Sequence, residues 1–202
     1  AQLLQMDAAE PLGVRQQRHV TLIHEAGGHL LEMISELLDL TRVEAGRLEV
    51  ALSDIALAPL LRECADMLQP LAGGIGVVIE IGPCDAALQV CADRTRLKQV
   101  LANLLSNGVK YNRRGGRVEL RVRGGKRRIT IDVVDDGAGI AEKDAKALFE
   151  PFNRLAQRHS GIEGTGIGLA LSRALVRAMG VVVLAVFVWP ELALWLPRKL
   201  GF

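Results

Sequence analysis

Asn103 and Asn107 stand four residues apart and Lys110 follows three residues later, so on a helix all three project from one face. A side-chain amide oxygen is a hard neutral ligand. It suits a Mg²⁺ ion that keeps most of its waters and takes its other oxygens from phosphates. Lys110 brings a point charge that can neutralise phosphate oxygens, and Tyr111 beside it offers a ring on which a purine can stack. Asp135 ends the apolar run Ile131-Asp132-Val133-Val134 and is followed by Asp136-Gly137-Ala138-Gly139-Ile140. A carboxylate at the end of a buried strand can accept a hydrogen bond from the adenine amino group. Gly137 and Gly139 let the backbone approach the base without a Cβ in the way. Asp136 reads as a solvated neighbour. Gly164-Thr165-Gly166-Ile167-Gly168-Leu169 opens an apolar-faced helical pattern. A helix start presents free N–H groups and the positive end of the dipole, which together bind anions.

Each of these segments has a bland reading by itself: a helix-surface amide, a tight Asp-Gly loop, a glycine-rich turn. Their fixed order within about seventy residues is what turns them into one nucleotide site for ATP and Mg²⁺. Between Ile140 and Glu163 the chain reads as a lid. Phe149 and Phe152 are apolar anchors stiffened by Pro151, Gln157–Gly161 is polar, and Arg154 and Arg158 are either γ-phosphate contacts or ordinary solvated arginines. No lysine-serine pair of the P-loop kind follows the glycines, and no βαβ unit precedes them, so neither a P-loop nor a dinucleotide-binding fold fits.

These residues need elements to hold them. Residues 14–48 read as one long helix in which Ile23, Ala26, Leu30, Met33, Leu37 and Leu40 follow a 3-4-3-4 spacing, a bundle seam. Gly27 and Gly28 weaken it by about 1 kcal/mol each relative to Ala, and Gly46 is its stop. Ala1–Met6 reads as the end of another apolar helix, broken by Asp7–Gly13 with Pro11. Beyond Gly46 the pattern turns to α/β. Strands are expected at Leu48–Leu52, Val77–Ile81, Ala87–Val90, Arg117–Val122 and Ile129–Val134. Helices are expected at Ala58–Leu71 with Pro59 in its first turn, at Asp93–Val109 with Asp93 as N-cap, and at Thr165–Met179. The fold class is α+β: a mixed sheet with helices on one face, preceded by a helical segment. A boundary near residue 50 divides 1–50 from 51–202.

The 202 residues allow one domain of good size plus an appendage, and 50% hydrophobic with 24% charged residues suits a globular chain. Aromatics are only 3%, so Leu, Val, Ile and Ala must build the core. A net charge of +2 is too small to argue for nucleic acid. The local basic run Arg113, Arg114, Arg117, Arg121, Arg123, Lys126, Arg127 and Arg128 reads first as the solvated edge of a hairpin and second as a docking surface. The three cysteines, Cys64, Cys84 and Cys91, form no CxxC pair and read as buried small apolar residues in a reducing, cytoplasmic compartment. His24-Glu25 and His29 do not make a zinc motif, because five residues separate the histidines and they point to different faces. No signal peptide is evident, and the Ala1 start suggests an excised piece.

The four segments Asn103–Tyr111, Asp135–Ile140, Leu148–Phe152 and Gly164–Leu169 resemble, in order and spacing, the N, G1, F and G2 boxes of the ATP-binding domain of sensor histidine kinases. Residues 30–49 resemble the second helix of that family's dimerisation hairpin. The resemblance covers residues 14–180 and implies the Bergerat ATP-binding fold. It also implies a γ-phosphate transfer to a histidine in a two-component phosphorelay, a homodimer through residues 14–48 and a response-regulator receiver domain as partner. Ile140, Phe152, Ile167 and Leu169 join the binding set by their positions in the boxes. The ATPases of the wider fold family place a glutamate four residues before the metal-binding asparagine. Asn103 holds that position here, which favours retention of ATP over rapid hydrolysis.

Two departures stand out. None of the four histidines, His19, His24, His29 and His159, lies in a His-Glu-x-x-x-Pro stretch, so the acceptor segment is expected before Ala1 and the chain is expected to be incomplete as a kinase. Val181–Val188 and Leu192–Leu196 read as two closing strands with apolar residues on both faces, joined by Trp189-Pro190-Glu191. The pair is too short and too interrupted by Pro190 and Glu191 to span a membrane. Gly108, where the family commonly has Ala, is expected to loosen the helix beside Asn107. A non-catalytic dimerisation module, or a Bergerat-fold ATPase, are the alternative functions.

Overall fold

The computed structural model describes residues 1, 4, 12–124, 129–141, 144, 145, 147–153 and 164–180. The expected helix at Ala1–Met6, the Gly124-Gly125 turn, the lid segment with Arg154 and Arg158, and the closing strands Val181–Leu196 fall wholly or partly outside the described residues.

The first described helix, α1 (Val14–Glu44), ends four residues before the expected limit. Gly46 adopts a left-handed φ of 65°, its N–H donates to Val43 O, and Arg47 N donates to Arg42 O. This double closure satisfies the last carbonyls and is a natural task for glycine. Residues 48–52 are irregular, and the first strand, β1 (Ser53–Ala56), comes just after the expected one. It pairs antiparallel with β3 (Gln89–Ala92).

Helix α2 (Leu57–Ile75) carries Pro59 in its first turn, where no N–H is needed, and runs four residues past the expected end, through Pro70 and Gly73-Gly74. Ala72 is fully buried and Gly76 caps the helix in the left-handed region, so packing and the cap extend it where composition argues for a stop. Strand β2 (Val78–Ile81) lies parallel to β4 (Arg117–Gly124), which pairs antiparallel with β5 (Ile129–Asp135). Among the described residues the strands therefore form a two-stranded and a three-stranded sheet, the latter mixed as expected.

Helix α3 (Arg94–Lys110) is capped by Asp93, whose Oδ1 accepts from Arg96 N at 3.1 Å. Its Oδ2 accepts from Ala51 N at 3.0 Å and so ties the α1–β1 connection to the same cap. Helix α4 (Gly168–Ala178) begins three residues later than the sequence suggests, because Thr165–Ile167 form a non-helical strap with Gly166 at φ 72°.

The core lies between α2, α3, α4 and one face of the three-stranded sheet. Leu57, Leu61, Leu97, Leu101, Leu105, Val118, Leu120, Ile131 and Leu175 meet there, almost all with no exposure above a few per cent. Each such side chain contributes roughly 1.5–3 kcal/mol by leaving water. Gly108 is buried where a Cβ would come within 3.1 Å of Val118 Cγ1, so its lack of a side chain lets the helix lie close to β4. The outer sheet face carries ion pairs instead: Arg117–Glu80, Arg121–Glu119 and Arg123–Asp132, while Arg113 pairs with Asp136. The described part of the basic run is thus largely matched by carboxylates. Of the cysteines, Cys64 is buried as expected, Cys84 is half-buried and Cys91 is exposed, since alternation along β3 turns it outward while Ala92 turns inward. No described helix is long and apolar enough to cross a membrane.

Candidate functional site

A cavity of about 610 Å³ opens between α3, the end of β5, the Gly164–Gly168 strap and the middle of α1. Of the residues expected to bind, Asn103, Asn107, Lys110, Tyr111, Asp135, Gly139, Ile140, Gly164, Thr165, Gly166, Gly168 and Leu169 line it. Gly137, Phe152 and Ile167 do not, and Arg154 is outside the described residues.

Strand β5 carries Asp135 to the cavity rim, at the point where the chain leaves the sheet. Burial pushes its carboxyl above the usual carboxylate range, against the Gly137 N–H that donates to Oδ1 at 2.9 Å. The negative charge of Asp136 next door adds to the upward push. Gly137 acts behind the pocket. A Cβ there would sit 2.7 Å from Tyr111 O and 2.8 Å from Asp135 Oδ1, so only glycine lets the loop fold beneath the carboxylate. Asp136 is more than a solvated neighbour: it accepts from Arg117 N at 2.6 Å and from Arg113 at 3.2 Å, holding the start of β4 to the end of β5.

On α3, Asn107 and Lys110 reach the cavity one turn apart, as their spacing requires. Asn103 lines it too, but its amide nitrogen donates to Ser172 Oγ on α4 at 2.8 Å. Gly168 makes this contact feasible, since a Cβ there would lie 2.3 Å from Asn103 Oδ1. Asn103 therefore joins two helices at the strap as well as facing the cavity.

The strap ends at Ile167, fully buried as an apolar peg, whose N–H donates to Thr165 Oγ1 at 3.1 Å. Phe152 anchors the strap through its backbone, not its ring. Its N–H donates to Gly166 O at 2.9 Å, its φ is 63°, and its side chain is 59% exposed. The ring of Phe149 does pack, under the Arg173 guanidinium at 5.4 Å.

Sequence reasoning missed the α1 wall of the cavity, formed by His29, Glu32, Ser35 and Glu36. Thr165 Oγ1 donates to Glu36 Oε2 at 2.6 Å. The 3-4 spacing of His29, Glu32 and Glu36 marked them as one face, but an apolar seam on the same helix drew attention elsewhere. Ser172 carried no signal, because only the α3–α4 packing pairs it with Asn103.

The donor set suits a Mg²⁺ ion held largely by a nucleotide's phosphates: the neutral Asn107 amide on the wall with Lys110 one turn away. Among the described residues no group of three or more His, Cys, Asp or Glu could hold a metal alone.

The profile of the histidine kinase-, DNA gyrase B- and HSP90-like ATPases matches residues 92–192. Histidine protein kinase DivJ of Caulobacter vibrioides is 34% identical over 170 residues, which is 84% of this chain and 28% of that protein. Circadian input-output histidine kinase CikA of Synechococcus elongatus is 39% identical over 176 residues, 84% of this chain and 23% of that protein. The chain thus spans about a quarter of the length of these curated relatives. Full-length ShkA, solved in complex with AMPPNP, superposes with a TM-score of 0.71 at 30% identity, covering 88% of this chain and 36% of that one. With its helices laid on a mixed sheet and a helix ahead of them, the chain belongs to the histidine kinase-, DNA gyrase B- and HSP90-like ATPase family, as an ATP-binding catalytic domain of the sensor histidine kinase type.

Proposed function

We propose that the cavity binds ATP with Mg²⁺ and presents the γ-phosphate to a histidine, as the catalytic module of a two-component sensor kinase. The observation that carries this reading is convergence: Asn107, Lys110, Asp135 and the glycine-rich start of α4 face one space of nucleotide size. In this reading Asp135 accepts from the adenine amino group, Tyr111 flanks the base, and Asn107 ligates the metal. Lys110 and the backbone N–H groups from Gly166 to Leu169 receive phosphate oxygens. Arg154 is a further candidate for the γ-phosphate. Residues 1–50 serve dimerisation and 51–202 nucleotide binding, with a second copy met through residues 14–48 and a response-regulator receiver domain as phosphate acceptor, all in the cytoplasm.

The reading is tested by titrating Mg²⁺ and a non-hydrolysable ATP analogue into the chain. Binding in the micromolar to millimolar range supports it, and no binding at millimolar analogue rejects it. Asn107→Ala is expected to abolish the Mg²⁺-dependent part of the affinity. Asp135→Ala is expected to remove the preference for adenine over guanine; wild-type behaviour in both would remove these assignments. With γ-labelled ATP and a separate acceptor-histidine fragment, an acid-labile label on the fragment marks kinase activity. Steady phosphate release without it marks an ATPase.

A further inference from the structure

The family profile begins at residue 92, yet one wall of the cavity comes from residues 29–36, far upstream. Glu36 is the member of that wall which bonds across the cavity. Its Oε2 accepts the Thr165 hydroxyl proton at 2.6 Å, while the same hydroxyl oxygen accepts from Ile167 N at 3.1 Å. The only proton of the Thr165 hydroxyl and one of its two lone pairs are thereby engaged, in the glycine-rich strap where a phosphate would be received.

The charges around Glu36 set the sign of its effect. From α1 itself, Glu32 and His29 face it, and from α3, Lys110 does. Across the same cavity stands Asp135. The strap contributes Thr165 and glycines, with no charged side chain lining the cavity. Lys110 is thus the one lysine or arginine among the described residues lining a space that also holds Glu32, Glu36 and Asp135. A carboxylate half-removed from water repels further negative charge more strongly than one in bulk solvent. Burial, with the Glu32 charge beside it, raises the Glu36 carboxyl above its ordinary range, against the Thr165 hydrogen bond, Lys110 and His29.

We propose that Glu36 is a specificity-determining residue of the nucleotide site: docked on Thr165, it holds the place of a phosphate oxygen and makes affinity fall as the nucleotide's phosphate chain lengthens. The inference rests on the nucleotide reading above and adds a discrimination to it. A triphosphate binds fully only when the Glu36–Thr165 bond opens, which also loosens α1 from the strap. By linkage, whatever pulls α1 away from Thr165 raises triphosphate affinity by the same factor. Adenosine, which carries no phosphate, is indifferent to Glu36.

The experiment measures Kd for a non-hydrolysable ATP analogue, ADP and adenosine, each with Mg²⁺. The proteins are the whole chain and its Glu36→Gln and Glu32→Gln variants, with circular dichroism checking that each is folded. Glutamine keeps the size of Glu36 and can still accept from Thr165 but carries no charge. Glu36→Gln is expected to tighten the triphosphate analogue by about tenfold, in the range of ordinary coupling factors, to tighten ADP less and to leave adenosine unchanged. Glu32→Gln removes a charge from the same helix face without touching Thr165 and is expected to have a smaller effect. A second readout is hydrogen exchange of the α1 amides around residues 32–40, which the triphosphate analogue should accelerate in the wild-type chain and adenosine should not. Equal or weaker triphosphate binding by Glu36→Gln, or an equal gain from Glu32→Gln, overturns the proposal. Failure of every protein to bind any of the three ligands removes the nucleotide reading and this inference with it. Binding of all three ligands with affinities that neither fall with phosphate count nor change in Glu36→Gln leaves the former standing and removes the latter.

Discussion

Asp93 shows how one side chain joins parts of the sequence that no local pattern connects. Its carboxylate caps α3 through Arg96 N and holds Ala51 N from the connection ahead of β1. Burial pushes this carboxyl upward, yet the N–H donors of Arg96, Ala51 and Thr95 outweigh it and leave it below the usual aspartate range. A depressed folded pKa stabilises above the unfolded value and is lost as pH falls through the folded one, so acid should undo this junction. Asp93→Ala is expected to cost about 1–2 kcal/mol in chemical denaturation at neutral pH, with the deficit shrinking in acid as the wild type loses the same contribution. The thiols differ as sharply. Burial raises the Cys64 thiol to about 11, and Cys91 is exposed. Iodoacetamide at mildly alkaline pH is expected to label Cys91 in the folded chain and Cys64 only after unfolding, read by peptide mass. The cap was legible from Asp93 standing just before an amphipathic run. The exposure of Cys91 was not, because strand alternation fixes it and the β3 boundary shifted by two residues from the expected one.

Among the elements, α3 and α4 meet at the point most sensitive to a single atom. Gly168→Ala would place a methyl against the Asn103 amide. It is expected to lower nucleotide affinity at least tenfold by displacing the strap, and to destabilise the fold by about 1–3 kcal/mol through overpacking. Calorimetric titration and thermal melts would separate the two effects. The helices were readable from the sequence because long amphipathic patterns carry strong periodicity; their ends were less so. Helix α2 overran Pro70 and a glycine pair because Ala72 and Ile75 pack on the core. Helix α4 started late because Gly166 takes a left-handed turn that helical periodicity does not register. Twelve of the fifteen residues expected to bind line the cavity, while Met67, Leu68, Gln99 and Ser172, which line it too, carried no such signal. Phe152 was read for its ring, whereas the strap uses its backbone N–H.

For the whole molecule, the unresolved balance lies along α1. Leu22, Ile23, Leu30, Leu31, Ile34, Leu37 and Leu38 are all at least 40% exposed, while Leu40 on the same helix is buried against the α/β core. So long an apolar stripe draws a partner in water. Under the dimer proposal, sedimentation should show concentration-dependent association that Leu30→Glu with Leu37→Glu shifts towards monomer. Unchanged association of that double variant would remove residues 14–48 as the dimer contact. Of the residues with 3-4-3-4 spacing, Ile23, Leu30 and Leu37 are exposed, but Leu40 packs on the α/β core instead of joining that stripe. The opposite, polar face of α1 was not legible as a cavity wall, because only the three-dimensional packing brings Glu36 to Thr165 across more than a hundred residues of chain.

The contact of Gly108 with Val118 also bears on evolution. Asn107 is the immediate neighbour of Gly108, so the distance from sheet to helix sets where the proposed metal-binding amide stands. A methyl added at 108 would crowd Val118 Cγ1 at 3.1 Å and Cγ2 at 3.3 Å, whereas an alanine at 118 would vacate that volume. Positions 108 and 118 are therefore expected to change size in opposite directions among descendants of this sequence, a small residue on one side licensing a larger one on the other.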